Sequence, residues 1–159
     1  MTLPDDSAAV IAIHLGSEAE GPLESAAEVR AVAGRGLEGD RYFLKAGTFT
    51  KQVPGPDSEL TLIESEQIEE FVAATGIAIT SAQLRRNIVT AGINLNELVD
   101  KEFHVGGVPV RGIRLCEPCQ HLADLTCHDV LQRMVHRAGL RAQILADGVI
   151  RVGDRIVVQ

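Results

Sequence analysis

The densest grouping of reactive side chains in this sequence is Leu115-Cys116-Glu117-Pro118-Cys119-Gln120-His121-Leu122. A C-x-x-C pair of thiols can act as a nucleophile, a soft metal ligand or a redox couple. The stretch follows an expected strand and precedes an expected helical turn. Pro118 suits the entrance of such a turn, because its missing N–H is one that the turn leaves unpaired. Cys119 then falls near unpaired backbone N–H groups, an environment that favours thiolate over thiol. Arg114 and His121 add to that effect if they fold back on it. Cys119 is therefore the candidate catalytic residue and the candidate metal ligand. Cys116 and Cys127 are read as packing residues, since free cysteine is among the most buried side chains.

Two other chemistries compete for the same thiols. Cys116, Cys119, His121, Cys127, His128 and His136 could in principle supply a structural zinc site. Such sites usually show two ligand pairs at knuckle spacing, and here there is one C-x-x-C with no second cysteine pair. A thioredoxin-like redox pair opens a helix in an α/β chain, which the strand-rich pattern here does not match. The three cysteines are odd in number, cannot all pair, and are expected to stay reduced.

A second group of candidates is cationic. Arg85-Arg86-Asn87 precedes an expected strand, and Gly39-Asp40-Arg41 closes a glycine-rich turn. Guanidinium groups grip phosphate bidentately, and an asparagine amide both donates and accepts. Arg41, Arg85, Arg86 and Asn87 are thus candidates for an anionic cofactor. The plain alternatives are a solvated turn for the arginines and a turn cap, or a pair with Arg41, for Asp40.

Composition narrows the function classes. The 159 residues carry 15 basic and 22 acidic side chains, a formal charge of −7. That balance argues against a nucleic-acid binder, whose footprint is normally basic. Aromatic residues make up 3% with no Trp, which leaves no base-stacking platform. No apolar run approaches the roughly 20 residues that span a bilayer. The opening Met1-Thr2-Leu3-Pro4-Asp5-Asp6 lacks the basic and apolar regions of a secretory signal, so a cytoplasmic chain without membrane partners is expected.

The elements that must position these residues are mostly short strands. Strands are expected over Val10–Leu15, Ala26–Val32, Leu60–Ile63, Ile88–Thr90, Glu102–Val105, Val108–Leu115, Leu140–Leu145 and Val149–Val158, the last two around Asp147-Gly148 and Gly153-Asp154. Gly106-Gly107 marks a tight hairpin, and residues 34–55 read as a long irregular loop. Ile68, Phe71, Val72 and Thr75 fall at helical spacing, with Ser65 as N-cap and Gly76 as stop. A second helix is expected over Asp129–Arg137, ended by Gly139. His14 and His104 lie within strands and are read as ordinary core or surface residues. The pattern predicts a mainly β, barrel-like domain over residues 1–159, its core at about 10–158, with two or three short helices inserted.

Six motifs in order carry a family resemblance. They are Gly36-Leu37-Glu38-Gly39-Asp40-Arg41-Tyr42, Gly47-Thr48-Phe49, Leu60-Thr61-Leu62-Ile63-Glu64, Arg85-Arg86-Asn87-Ile88-Val89, Leu115-Cys116-Glu117-Pro118-Cys119 and Val152-Gly153-Asp154. The chain resembles the MOSC domain family, named for the C-terminal part of molybdenum cofactor sulfurase, in its short stand-alone bacterial form. The resemblance implies a pyruvate-kinase-barrel-like fold and a role around molybdenum cofactor (molybdopterin). It implies either that the thiolate of Cys119 ligates molybdenum in a reductase of N-hydroxylated compounds fed by electron-transfer proteins, or that Cys119 carries sulfur. In the second case a pyridoxal-phosphate desulfurase supplies a persulfide for cofactor assembly. Pyridoxal phosphate itself is not expected on this chain, since the lysine that holds it belongs to a separate domain. No G-x-G-x-x-G opens a helix after a strand, so electrons would come from other proteins.

Overall fold

A computed structural model of the chain describes residues 8–17, 23–40, 43, 59–118, 120–127 and 129–158. Its strands are β1 (Ala9–Leu15), β2 (Glu24–Ala26), β3 (Glu28–Val32), β4 (Gly36–Leu37), β5 (Leu60–Glu64), β6 (Ile88–Ala91), β7 (Glu102–Val105), β8 (Val108–Leu115), β9 (Leu140–Ile144), β10 (Gly148–Arg151) and β11 (Ile156–Val158). Helices α1 (Ser65–Thr75), α2 (Gln120–Leu125) and α3 (Asp129–Arg133) and a 3-10 turn at Leu95–Leu98 are inserted between them.

Eight strands form one sheet in the order β11-β7-β8-β9-β5-β6-β1-β2, and β10-β3-β4 form a second. The larger sheet curls until β1 reaches back to the approach of β11. There Ala9 bridges Arg155, and the Val10 N–H donates to the Asp154 carbonyl at 2.8 Å. This is the mainly β, barrel-like architecture expected, with its short helices between strands.

The alternation of side chains decides which face of the curled sheet is the interior. In β9 and in β8 as far as Gly112 every second residue is buried, so one face of each lines the interior; the alternation in β8 ends where its register to β9 shifts, between Gly112 and Arg114. β5 differs, because Leu60 to Ile63 are buried on both faces. Leu60 and Leu62 join the barrel core with Ile13, Ile88, Phe103, Val110 and Leu140. Ile63 joins a second core with Ile68 and Phe71 of α1 and with Leu122, Val130 and Met134. Burial of a side chain such as Phe71 stabilises by about 2–3 kcal/mol. This second core seats all three helices on the outside of the barrel.

β5 and β6 run parallel, with Leu62 opposite Ile88, and α1 is the crossover between them. Gly76 ends α1 in the left-handed conformation, φ 72°, as its lack of a Cβ allows. The hairpin at Gly106-Gly107 also forms, with Val105 opposite Val108.

Four local expectations are corrected. The N-cap of α1 is Glu64 without a side-chain cap, and Ser65 already lies inside the helix. The expected strand over Ala26–Val32 divides into β2 and β3, which belong to different sheets. The expected Val149–Val158 strand breaks at a turn in which Gly153 has φ 96°, and its halves likewise join different sheets. The second helix stops at Arg133 rather than Arg137, because His136 is held in the left-handed region at φ 62°.

Gly139 shows how tightly β9 enters the barrel. Its φ is +114°, and a Cβ there would lie 2.0 Å from the carbonyl oxygen of Leu62 in β5. Gly139→Ala is expected to destabilise the chain by roughly 2–4 kcal/mol, combining the strained φ with a backbone overlap. Urea denaturation reads this directly. A midpoint equal to the parent's would show that β9 can retreat from β5.

Candidate functional site

The segment 85–87, just before β6, is where the sequence motifs meet. The Asn87 side chain is fully buried and its hydrogen-bonding capacity is spent. Its Nδ2 donates to the His14 carbonyl at 3.1 Å and to Asp40 Oδ1 at 3.2 Å. Its Oδ1 accepts from the Thr61 N–H and from Thr61 Oγ1, both at 3.1 Å. Two donors and two acceptor sites are all that an amide offers. Asn87 therefore ties β1, β5 and the turn at Asp40 to the start of β6.

Asp40 is also fully buried and lies next to Arg41 in sequence. Gly39, with φ 88°, turns the chain inward, and Asp40 Oδ1 accepts the Gly16 N–H at 3.0 Å. The carboxylate thus fastens the Gly39-Asp40 turn to the end of β1. Its partners include residues far along the chain, beyond the local turn cap expected from sequence.

Arg86 performs the matching task on the other side. Its Nε donates to the Ala138 carbonyl at 2.8 Å, Nη1 to the Leu84 carbonyl at 3.1 Å and Nη2 to the Cys116 carbonyl at 3.0 Å. A guanidinium that is 8% exposed needs such partners to offset its desolvation. The contact to Cys116 joins the arginine motif directly to the cysteine loop. Cys116 itself is buried, and its N–H donates to the Gly139 carbonyl at 2.8 Å.

Arg85 is equally buried at 8% exposure but sits in the left-handed region at φ 63°. Its N–H donates to the Ala82 carbonyl at 3.0 Å, closing the turn that precedes β6. A non-glycine residue there costs of order 1–2 kcal/mol, which the surrounding turn must offset. The irregular backbone breaks strand alternation and lets adjacent arginines both be buried.

Two features have partners that the sequence does not announce, although His14 itself is expected as a core or surface residue of its strand. His14 is buried, with Nε2 2.7 Å from Ser81 Oγ and Nδ1 3.4 Å from Ser25 Oγ. Burial pushes its pKa below the ordinary value. It is a core histidine, and the signal was its place in the apolar run Val10–Leu15, where a buried imidazole must find partners. Glu117 and His136 form the other feature. Both carboxylate oxygens of Glu117 meet His136, one accepting its N–H at 2.7 Å and the other lying 2.6 Å from ring Nδ1. No motif links residues at that separation. Elsewhere, burial raises the pKa of Glu59 against the opposing pull of the Ile144 and Gly34 N–H groups, and burial also raises that of Glu64.

Arg41, Cys119 and His128 lie outside the described residues, as does the His121 side chain. The described cysteines, Cys116 and Cys127, are free thiols, buried and half-buried. Among the described residues no group of three or more His, Cys, Asp or Glu could hold a metal ion. Likewise among them, no helix is long and apolar enough to cross a membrane.

Comparisons with known proteins bear on the family and the fold. A family model described as "MOSC domain" matches residues 14–157. The fold is similar to that of the YuaD protein from Bacillus subtilis, at TM-score 0.80 and 15% identity over 94% of each chain. It is also similar to YiiM from Geobacillus stearothermophilus, at TM-score 0.73 and 16% identity over 96% of this chain and 75% of that one. YiiM from Escherichia coli follows at TM-score 0.64 and 17% identity, covering 94% and 69%. No curated protein matches the sequence.

Two outcomes follow from this geometry. Asn87→Leu keeps the branched heavy-atom shape, with somewhat more bulk, but strands the Thr61, His14 and Asp40 partners, and is expected to cost about 2–4 kcal/mol in chemical denaturation. A loss below about 0.5 kcal/mol would mean that the Asp40 turn does not depend on it. The second outcome concerns pH. The folded pKa of His14 is lowered, so the unfolded chain takes the proton more readily. The stability due to the neutral ring is full above 6.5 and is lost as pH falls through the lowered folded value. Glu59 and Glu64, with raised values, act in the opposite sense at lower pH. Melting between neutral and mildly acidic pH should therefore fall more steeply in the parent than in His14→Gln, and equal slopes would contradict this.

Proposed function

Because this chain belongs to the MOSC domain family, a family associated with molybdenum cofactor binding, we propose that it holds that cofactor through Cys119 and a cationic cradle. The carrying observation is that 85–87 gathers three separate motifs. Arg86 grips the Cys116 carbonyl, and Asn87 grips Asp40, the neighbour of Arg41. The cysteine loop, the arginine pair and the Gly39-Asp40 turn thereby become one locus.

The donor set fits the group. Molybdenum in a dithiolene is a soft centre that a thiolate ligates well. The pterin phosphate calls for guanidinium donors, and Arg85 and Arg41 take that role in this reading. Arg86 and Asn87, first expected to touch the cofactor, serve in this reading chiefly as positioning residues: the Asn87 amide is spent on Thr61, His14 and Asp40, and three of the five N–H donors of Arg86 go to Ala138, Leu84 and Cys116. When bound, the cofactor would supply two-electron redox chemistry suited to reducing an N-hydroxylated compound to the amine and water. Two protons and two electrons complete that balance, the electrons arriving from a partner protein. What the chain's own residues do is bind, orient and fix the loop that carries the thiol.

The test is elemental analysis of the parent, Cys119→Ala and Arg85→Gly, each purified anaerobically from a host that makes the cofactor. Glycine accepts the left-handed backbone at position 85, so the third variant removes the guanidinium without adding strain. Near-stoichiometric molybdenum and phosphorus are expected in the parent. Cys119→Ala should lose molybdenum while remaining folded, and Arg85→Gly should lower retention of both elements by roughly tenfold or more. A folded parent with neither element would overturn tight cofactor binding. Zinc in its place would point to a structural site, and no metal at all to the persulfide-carrying role of Cys119.

A further inference from the structure

The loop that carries Cys119 is held from a second direction, independent of Arg86. His136 lies nineteen positions after Glu117 in sequence, yet it meets both oxygens of that carboxylate. Its N–H donates to Oε1 at 2.7 Å, and ring Nδ1 lies 2.6 Å from Oε2. A carboxylate only accepts, so Nδ1 carries the proton in this contact. The third polar group of His136 is also engaged, because its carbonyl accepts from Asn96 Nδ2 at 2.7 Å.

His136 achieves this only in a left-handed backbone conformation, φ 62°. For a residue with a Cβ that conformation is costly, and it persists where its surroundings over-determine it. The same conformation ends α3 early and turns the His136 N–H toward Glu117. An exposed ion pair is ordinarily worth little. Here one carboxylate takes a backbone N–H and a ring N–H of one residue, whose carbonyl is anchored on the 3-10 turn. That is the geometry of a fixed clamp rather than of a passing surface contact.

We propose that Glu117 and His136 form a positioning clamp that holds residues 116–118, the chain leading to Cys119, against the barrel and so governs the reactivity of that thiol. Glu117 is two residues before Cys119, so the clamp acts on the chain leading directly to the thiol. Asn96 is its outer anchor, and the Cys116 contacts to Arg86 and Gly139 are its inner one. The inference rests on the reading of Cys119 as the functional thiol and adds the residues that fix the chain before it.

The experiment compares the parent with Glu117→Ala, Glu117→Gln and His136→Asn in the full chain. Glutamine can keep both contacts, accepting the His136 N–H with its oxygen while its amide donates to Nδ1 in the other ring tautomer. Asparagine tolerates the left-handed backbone and keeps the N–H contact but loses the ring. Hydrogen exchange of the 116–120 backbone and the rate at which iodoacetamide modifies Cys119 are read by mass spectrometry. Cys127 modification and exchange in α1 serve as internal references.

Glu117→Ala is expected to speed exchange at 116–120 by about tenfold or more and to shift Cys119 modification severalfold, with both references unchanged. Glu117→Gln should return both to within about twofold of the parent, and His136→Asn should fall between. Parent-like exchange and Cys119 modification in Glu117→Ala would overturn the clamp. So would equal acceleration in α1, which would make Glu117 a residue of general stability. Neither readout needs molybdenum. A clamp effect in a chain that binds no metal would retire the cofactor reading alone, and bound metal with no clamp effect would retire the clamp alone.

Discussion

The arrangement depends on one buried amide. Asn87 has no solvent to fall back on, so its two donors and two acceptor sites must each find a protein partner. It finds them on β1, β5 and Asp40, three parts of the chain that no short-range rule brings together. Losing any one partner would leave a buried polar group unsatisfied, at a cost of about 1–3 kcal/mol. The relative positions of the strand ends are therefore interdependent. Arg86, one residue earlier, extends the constraint to the cysteine loop and to the approach of β9.

Those polar ties work because the two cores have already restricted the chain. β5 is buried on both faces and shared between the barrel interior and the layer beneath α1. The shared strand makes the outer helices continuous with the barrel. Leu122 and Val130 place α2 and α3 in the same cluster as Phe71, so apolar packing holds the α2 end of the loop that follows β8. Hydrogen bonds then select one conformation among the few that packing leaves.

Strain marks the same neighbourhood. Arg85 and His136 are both non-glycine residues with positive φ, and both adjoin the motifs that converge here. Each is stabilised by contacts specific to its place: Arg85 by the turn to Ala82, His136 by Glu117 and Asn96. Left-handed arginine is not visible as a pattern, because the sequence signal for that conformation is glycine or asparagine. The early stop of α3 leaves no pattern in the sequence for the same reason. Its apolar spacing continues past Arg133, but the Glu117 contact at His136 outweighs the propensity of one more turn.

The sequence by itself determined the strand-rich class, α1 with its Gly76 stop, the Gly106-Gly107 hairpin and the short motifs that mark the family. These are local properties: alternation, helical period and glycine conformational freedom act within a few residues. It also singled out Arg85, Arg86 and Asn87 as candidates for an anionic ligand. Only the tertiary structure decided what two of them do. The roles of Arg86 and Asn87 follow from which carbonyls and amides end up within 3.2 Å of them, after β5, β6 and β9 have come together. His14 with its serines and Glu117 with His136 belong to the same class. Their partners lie far apart in the chain, and hydrogen bonds between distant residues leave no periodic trace in the sequence.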